Sequence, residues 1–434
     1  MAVTADPARQ AALDILSAAL GRKAGLESAL EDPSVAGLAP QDRAFARALV
    51  MATLRHLGPI DALLAPRLQR DPPEPVRMIL RLGATQLFWL DTPSYAAVNS
   101  SVALAQANRA TRPFKALVNA VLRRLDRDGP PAADPAALAP SWLFARWRAS
   151  FGEAETLRLA AVIAEEPATD LTPRDPADAD TLCGALEAAA LPGGSLRRAG
   201  RGRIEDWPGF AEGRWWVQDA AAAIPARLLG VGPDESALDL CAAPGGKALQ
   251  LAAAGARVVA LDRSAARLKR LVEALARTGL SAETIVAEAE TWADHRVFDA
   301  VLLDAPCSSS GTFRRNPDVL WTLRPGDIAK LASVQTRLLD AAARRVKPGG
   351  RLVYCVCSLE REEGEAQAAA FLKRHGDFET APIAPGEAGS PAPSVAAEGW
   401  LRILPHHLEG GLDGFFVARF ARRPSVLAAT PAAG

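Results

Sequence analysis

The chain has 434 residues, 49% hydrophobic and 23% charged, which fits two or three globular domains and excludes a disordered or fibrous protein. Lys and Arg (50) balance Asp and Glu (50), so no global field attracts a polyanion and any nucleic-acid partner must meet a local basic patch. Five cysteines, four of them between Cys241 and Cys357, lack the spacing of a disulfide framework and point to a reducing cytoplasm.

The start of the chain interrupts its apolar residues with Asp6 and Asp14 and lacks the basic opening of a signal peptide. No apolar run reaches the roughly 18 uninterrupted residues of a membrane span, so a cytoplasmic protein with no membrane partner is expected. Residues 1–130 repeat apolar positions at helical spacing, as in Ala12, Ile15, Leu16 and Leu20, with breaks at Gly21, Pro33, Pro40, Pro72-Pro73 and Pro93. That pattern predicts a compact all-α domain. Near its end, Arg109, Arg112, Lys115, Arg123, Arg124 and Arg127 outnumber two Asp and could face a phosphate backbone or simply water.

Residues 131–139, rich in Pro and Ala without periodicity, read as a linker. A small α/β segment is expected over 140–230, beginning with a helical pair. From 231 to 422 short apolar runs (Ala237–Leu240, Val258–Leu261, Thr284–Val286, Ala300–Leu303, Leu352–Val356) alternate with helical stretches, which predicts a doubly wound parallel sheet. Trp400–Leu404 and Phe415–Phe420 read as late strands, and 423–434 as a flexible tail.

The first of these strands runs into Cys241-Ala242-Ala243-Pro244-Gly245-Gly246-Lys247 and then a helix, and the second ends at Asp262. In such sheets ligands sit at the carboxyl ends of the strands, where glycines let the backbone approach and the first helical turn presents amides. An acid at the end of the second strand suits ribose hydroxyls. The loop is not the G-x-G-x-x-G of dinucleotide sites, so S-adenosyl-L-methionine, with a ribose and a carboxylate but no phosphate, fits better than NAD.

The fourth strand ends in Asp304-Ala-Pro-Cys307-Ser308 and the fifth in Cys355-Val-Cys357-Ser358. Two thiols and a carboxylate can therefore converge on the same sheet edge. A thiolate adds readily to an electron-poor ring carbon and leaves again, which suits methylation of a pyrimidine at carbon 5. Cys183, Cys241 and Cys355 are expected as small buried hydrophobes. Histidine is scarce and Cys-x-Cys lacks paired ligand spacing, so no metal is expected.

In these blocks the chain resembles the Sun-type RNA cytosine-5 methyltransferases. The resemblance spans nearly the whole length: CAAPGGK at Cys241–Lys247, DAPCS at Asp304–Ser308, Cys357-Ser358, Arg314-Arg315-Asn-Pro-Asp with Trp321, and Asp413-Gly-Phe-Phe416. Leu82-Gly-Ala-Thr-Gln86 and Val98-Asn-Ser-Ser-Val102 resemble an antitermination-factor-B-like RNA-binding domain. The resemblance implies an N-terminal all-α antitermination-factor-B-like domain followed by a C-terminal α/β Rossmann-like methyltransferase domain, acting as a monomer. It implies Cys357 as the nucleophile at cytosine carbon 6, Cys307 in proton removal and release, and Asp304 at the cytosine edge or the cofactor. Cys241 to Lys247, Asp262, Glu288 and Asp304 would hold S-adenosyl-L-methionine, and Arg314, Arg315 and Trp321 would contact RNA. Glu288 stands within Ala-Glu-Ala where the family more often has Gly-Asp-Gly, and residues 167–174 depart from its usual Leu-Arg-Val-Asn ending. The implied substrate is 16S ribosomal RNA, with transfer RNA as the alternative; a noncatalytic RNA-binding assembly factor is the reading from another class.

Overall fold

The computed structural model describes residues 6–21, 25–200 and 202–424, which form two units. The first comprises residues up to 166 together with 313–323, and the second comprises 167–312 and the chain from 324 onward.

The first unit is helical, as its apolar spacing predicts. Asp6 caps the opening helix, Pro7–Leu20, by accepting from the amides of Ala8 and Arg9. Helix Lys115–Asp128 buries Val118, Val121, Leu122 and Leu125, a single stripe at helical spacing, and packs with Glu74–Phe88 and Ser94–Ala107. Gly83 makes that approach feasible: a Cβ there would lie 2.6 Å from Leu122 Cδ1 and 2.8 Å from Ser101 Oγ. The six cations Arg109, Arg112, Lys115, Arg123, Arg124 and Arg127 are all exposed.

The domain boundary differs from the expectation. Residues 131–139 are part of the helical unit, because Asp134 caps the turn Pro135–Leu138 and Leu138 and Ala139 are buried. Helices Ser141–Phe151 and Glu153–Ala161 also belong to this unit, so the division falls after 166. Of the expected tail, 425–434 lie outside the described residues.

The second unit opens with a small antiparallel sheet of β1 (Thr169–Pro173), β2 (Ala188–Ala190), β3 (Leu196–Arg198) and β4 (Trp215–Val217), in the order β2-β3-β1-β4. Asp170 anchors it, accepting from the Arg197 guanidinium and from the amide of Ala220 at the start of helix Ala220–Leu229.

The main sheet contains β5 (Ser236–Leu240), β6 (Arg257–Asp262), β7 (Glu283–Val286), β8 (Phe298–Asp304), β9 (Val346–Val356), β10 (Phe378–Thr380), β11 (Leu401–Ile403) and β12 (Phe415–Arg422). Its order is β10-β12-β9-β8-β5-β6-β7, with β11 pairing on β12. Strands β5 to β9 run parallel, and β12 lies antiparallel to β9. One face carries Leu338, Leu339, Ala342 and Phe371 from helices Pro325–Ala343 and Glu365–Arg374; the other carries Ile224, Leu228 and Leu251. The result is a Rossmann-like three-layer domain. The strand order reverses between β5 and β8, which opens a crevice at their carboxyl ends. Among the described residues, no single helix is long and apolar enough to cross a membrane.

Candidate active site

The loop after β5 turns sharply at Cys241, whose φ is +62°, and the Ala242 amide donates to the Leu261 carbonyl at the end of β6. Gly245 has φ +120°, and a Cβ there would stand 2.5 Å from Leu271 Cδ1, so glycine is required on both counts. Because Gly245 is the N-cap of helix Gly246–Ala253, no side chain caps its first turn, leaving donors suited to a carboxylate. The Asp262 carboxylate closes the other side of the loop, accepting from the amides of Ala243 (3.2 Å) and Ser264 (2.8 Å). The Ala287 amide donates to the Asp262 carbonyl, which brings the turn bearing the exposed Glu288 to the same edge. This donor set, with an acid at the second strand end, fits S-adenosyl-L-methionine.

Lys247 reaches the end of β8, with Nζ 2.7 Å from Asp304 Oδ2 and 5.4 Å from the centre of the Phe415 ring. Burial works against its charge, but Asp304, Cys355 and Asp239 outweigh that and raise its pKa. The other Asp304 oxygen lies 3.5 Å from Cys355 Sγ. Burial, reinforced by Asp304, raises the Cys355 thiol well above the ordinary range, as suits an inert buried cysteine. Burial likewise raises Cys241.

Cys307, three residues beyond β8, and Cys357, directly after β9, place their sulfurs 3.4 Å apart, and both remain partly exposed. A hydrogen bond from Cys307 lowers the pKa of Cys357 and raises that of Cys307, and burial adds to the rise at Cys307. Ser309 Oγ lies 3.7 Å from Cys357 Sγ. Thus Cys357, Cys307, Asp304 and Lys247 gather at one sheet edge beside the 241–247 loop.

The expected RNA contacts separate instead. Residues 313–323 leave the second unit and fold into the helical one. There Arg314 is only 2% exposed and its carbonyl accepts from the Arg55 guanidinium, so its side chain is not presented to a phosphate. The Trp321 indole N–H donates to the Leu54 carbonyl at 3.1 Å, which commits its polar edge to structure. Arg315 alone of the three is exposed.

Two groups escaped the sequence reading. Asp239, buried in β5, has both carboxyl oxygens without a hydrogen-bond partner. A lone acid in the apolar run Ala237–Leu240 was a readable signal. Glu363, fully buried, binds the residue after each active-site thiol. It sits in the charged stretch Glu360-Arg-Glu-Glu363, which looks like a solvated loop.

Residues 226–421 match the family described as 16S rRNA methyltransferase RsmB/F, and residues 6–127 match the NusB family. The chain is 36% identical over 417 residues to the probable ribosomal RNA small subunit methyltransferase B of Synechocystis, covering 89% of this chain and 92% of that protein. It is 37% identical over 400 residues to the Thermus thermophilus ribosomal RNA small subunit methyltransferase B, covering 88% and 89%. The crystal structure of PH0851 superposes with a TM-score of 0.79 at 26% identity, covering 95% of this chain and 98% of that one. With a NusB-family helical domain ahead of an S-adenosylmethionine-dependent catalytic domain, the chain belongs to the ribosomal RNA small subunit methyltransferase B family.

Proposed function

We propose that this protein makes 5-methylcytosine in RNA, with 16S ribosomal RNA as substrate, through a covalent adduct between Cys357 and cytosine carbon 6. The observation that carries this reading is the 3.4 Å pairing of Cys307 and Cys357 beside the Lys247–Asp304 ion pair. S-adenosyl-L-methionine, when bound, supplies an electrophilic methyl group. Cysteine 357 meets the first requirement of the chemistry, since only a thiolate addition makes carbon 5 nucleophilic enough to accept that methyl. The hydrogen bond between the two thiols favours ionisation of Cys357 over Cys307. Asp304, held by Lys247, would accept a hydrogen bond from the cytosine amino group and orient the ring for attack.

Release needs a base for the carbon 5 proton. Once Cys357 is a thioether it no longer accepts the Cys307 hydrogen bond, and the main cause of the raised Cys307 pKa disappears. Cys307, partly exposed, can then release its proton to solvent and take the carbon 5 proton; the C5–H electron pair reforms the 5,6 double bond and Cys357 is expelled as thiolate. A base reached in this way must be unpaired or flipped, because stacking hides the ring carbon.

The test is methyl transfer from labelled S-adenosyl-L-methionine to protein-free 16S ribosomal RNA and to transfer RNA, with the modified base identified. Label in 5-methylcytosine of the 16S RNA, abolished in Cys357→Ser and replaced by a stable protein–RNA adduct in Cys307→Ala, is the expected result. Label in another base, or adducts in the Cys357 variant and none in the Cys307 variant, would reject the assignment.

A further inference from the structure

Glu363 takes no part in the steps above, yet it is fully buried beside them. Its Oε1 accepts from the Ser308 amide at 2.9 Å and from Gln335 Nε2 at 3.0 Å. Its Oε2 accepts from the hydroxyls of Ser308 and Ser358, and its carbonyl accepts from the Tyr354 hydroxyl. Ser308 directly follows Cys307, and Ser358 directly follows Cys357. One carboxylate therefore grips the residue next to each thiol, and those two hydroxyls also lie 3.1 Å from each other. Gln335 extends the grip, donating to the Pro306 carbonyl at 3.0 Å as well.

The β8–β9 ladder ends at Asp304 and Cys355, with the Ala305 amide donating to the Cys355 carbonyl at 3.0 Å, so the two thiols further along depend on ties between the loops that carry them. Here the ties run through the carboxylate and through shorter links such as the Gly311 amide to the Cys357 carbonyl at 3.0 Å and the Leu359 amide to Ser310 Oγ at 2.9 Å. Beside the direct contact between the Ser308 and Ser358 hydroxyls, Glu363 binds the residue that follows each cysteine.

We propose that Glu363 is a positioning residue that sets the separation of Cys307 and Cys357. The inference rests on the proposed function for its catalytic meaning, but not for its geometry. Glu363→Gln keeps the size and one acceptor oxygen for the Ser308 amide and Gln335, while its amide would face the two hydroxyls, which can rotate to accept. Glu363→Ala removes every tie at once.

The experiment measures the pH dependence of Cys357 alkylation by iodoacetamide, read by peptide mass spectrometry on the full chain without RNA. Far-ultraviolet circular dichroism and S-adenosyl-L-methionine affinity serve as controls for an intact fold. Loosening the pair weakens the hydrogen bond from Cys307, so the alkylation midpoint should move up by about one pH unit in Glu363→Ala and by less in Glu363→Gln. Turnover on RNA should fall about tenfold in the Ala variant, mainly in kcat with KM little changed. A folded, cofactor-binding Ala variant with the parent's alkylation profile would overturn the proposal. If the Ala variant does not fold, Glu363→Asp, one methylene too short to hold both loops, replaces it: an unshifted profile there overturns the proposal equally, and a shifted one supports it. A shifted profile in an enzyme that methylates no cytosine would support the positioning role while rejecting the proposed function.

Discussion

Replacing Asp239 by Asn should stabilise the protein, and increasingly so as pH rises. Asp239 is completely buried in β5, and neither carboxyl oxygen has a hydrogen-bond partner. Burial is the largest influence raising its pKa well above the ordinary 3.8; Asp304 and Asp262 add to the rise and Lys247 opposes it. The folded chain thus retains a proton that the unfolded chain releases near 3.8. With the native state binding the extra proton, the stability this carboxyl contributes is complete below that value and is lost as pH rises. The loss runs at about 1.4 kcal/mol per pH unit until the buried carboxyl itself ionises. Asn preserves the shape but titrates nothing, so the difference in unfolding free energy between variant and parent should widen in the variant's favour at that slope. Urea unfolding of both proteins from about pH 4.5 to 7.5, following the transition of the methyltransferase unit, measures that difference directly and cancels the groups they share. A flat difference, or an Asn variant less stable than its parent at neutral pH, would show that Asp239 is already ionised in the fold and would refute the reasoning.

Gly245→Ala must accommodate both a φ of +120° and a Cβ 2.5 Å from Leu271 Cδ1, so the 241–247 loop should shift. Titration calorimetry should show S-adenosyl-L-methionine bound at least about tenfold more weakly, the effect of about 1.4 kcal/mol; an unchanged Kd would remove that loop from the cofactor site. Trp321→Phe deletes the hydrogen bond to the Leu54 carbonyl and should cost the helical unit about 1 kcal/mol while leaving RNA affinity unchanged. Loss of RNA affinity at full stability, measured by filter binding alongside thermal melting, would return Trp321 to the RNA-contacting role.

The catalytic sheet was legible because each parallel strand is a short apolar run ending in a polar or glycine-bearing turn: Leu240 before Cys241, Leu261 before Asp262, Leu303 before Asp304. Once these were strands of one parallel sheet, their carboxyl ends had to share an edge, and Lys247, Asp262, Asp304, Cys307 and Cys357 came with them. The linker was misread because Pro and Ala carry no periodicity, whereas Asp134 as a cap and Leu138 as a buried contact hold that stretch in the helical unit. Arg314 and Trp321 were grouped with the cleft through adjacency. They follow Cys307 closely in sequence, but the chain leaves the second unit after Thr312, and local spacing does not reveal which core will receive Phe313. Glu363 was hidden for the complementary reason, since burial of one acid in a charged run depends on donors from Ser308 and Gln335, far away in the chain.

The charge arrangement of the cleft also explains why the thiols come as a pair. Asp239, Asp262 and Asp304 all stand near the ends of neighbouring strands, and a cleft lined with acids is a poor place to generate a thiolate. Lys247 offsets Asp304, and burial disfavours the charged form of Asp239, which limits the repulsion without making the cleft electropositive. At Cys357 both burial and Asp304 oppose ionisation, and the largest influence favouring it is the hydrogen bond from Cys307. The titration of either thiol therefore belongs to the cysteine pair rather than to the surrounding field.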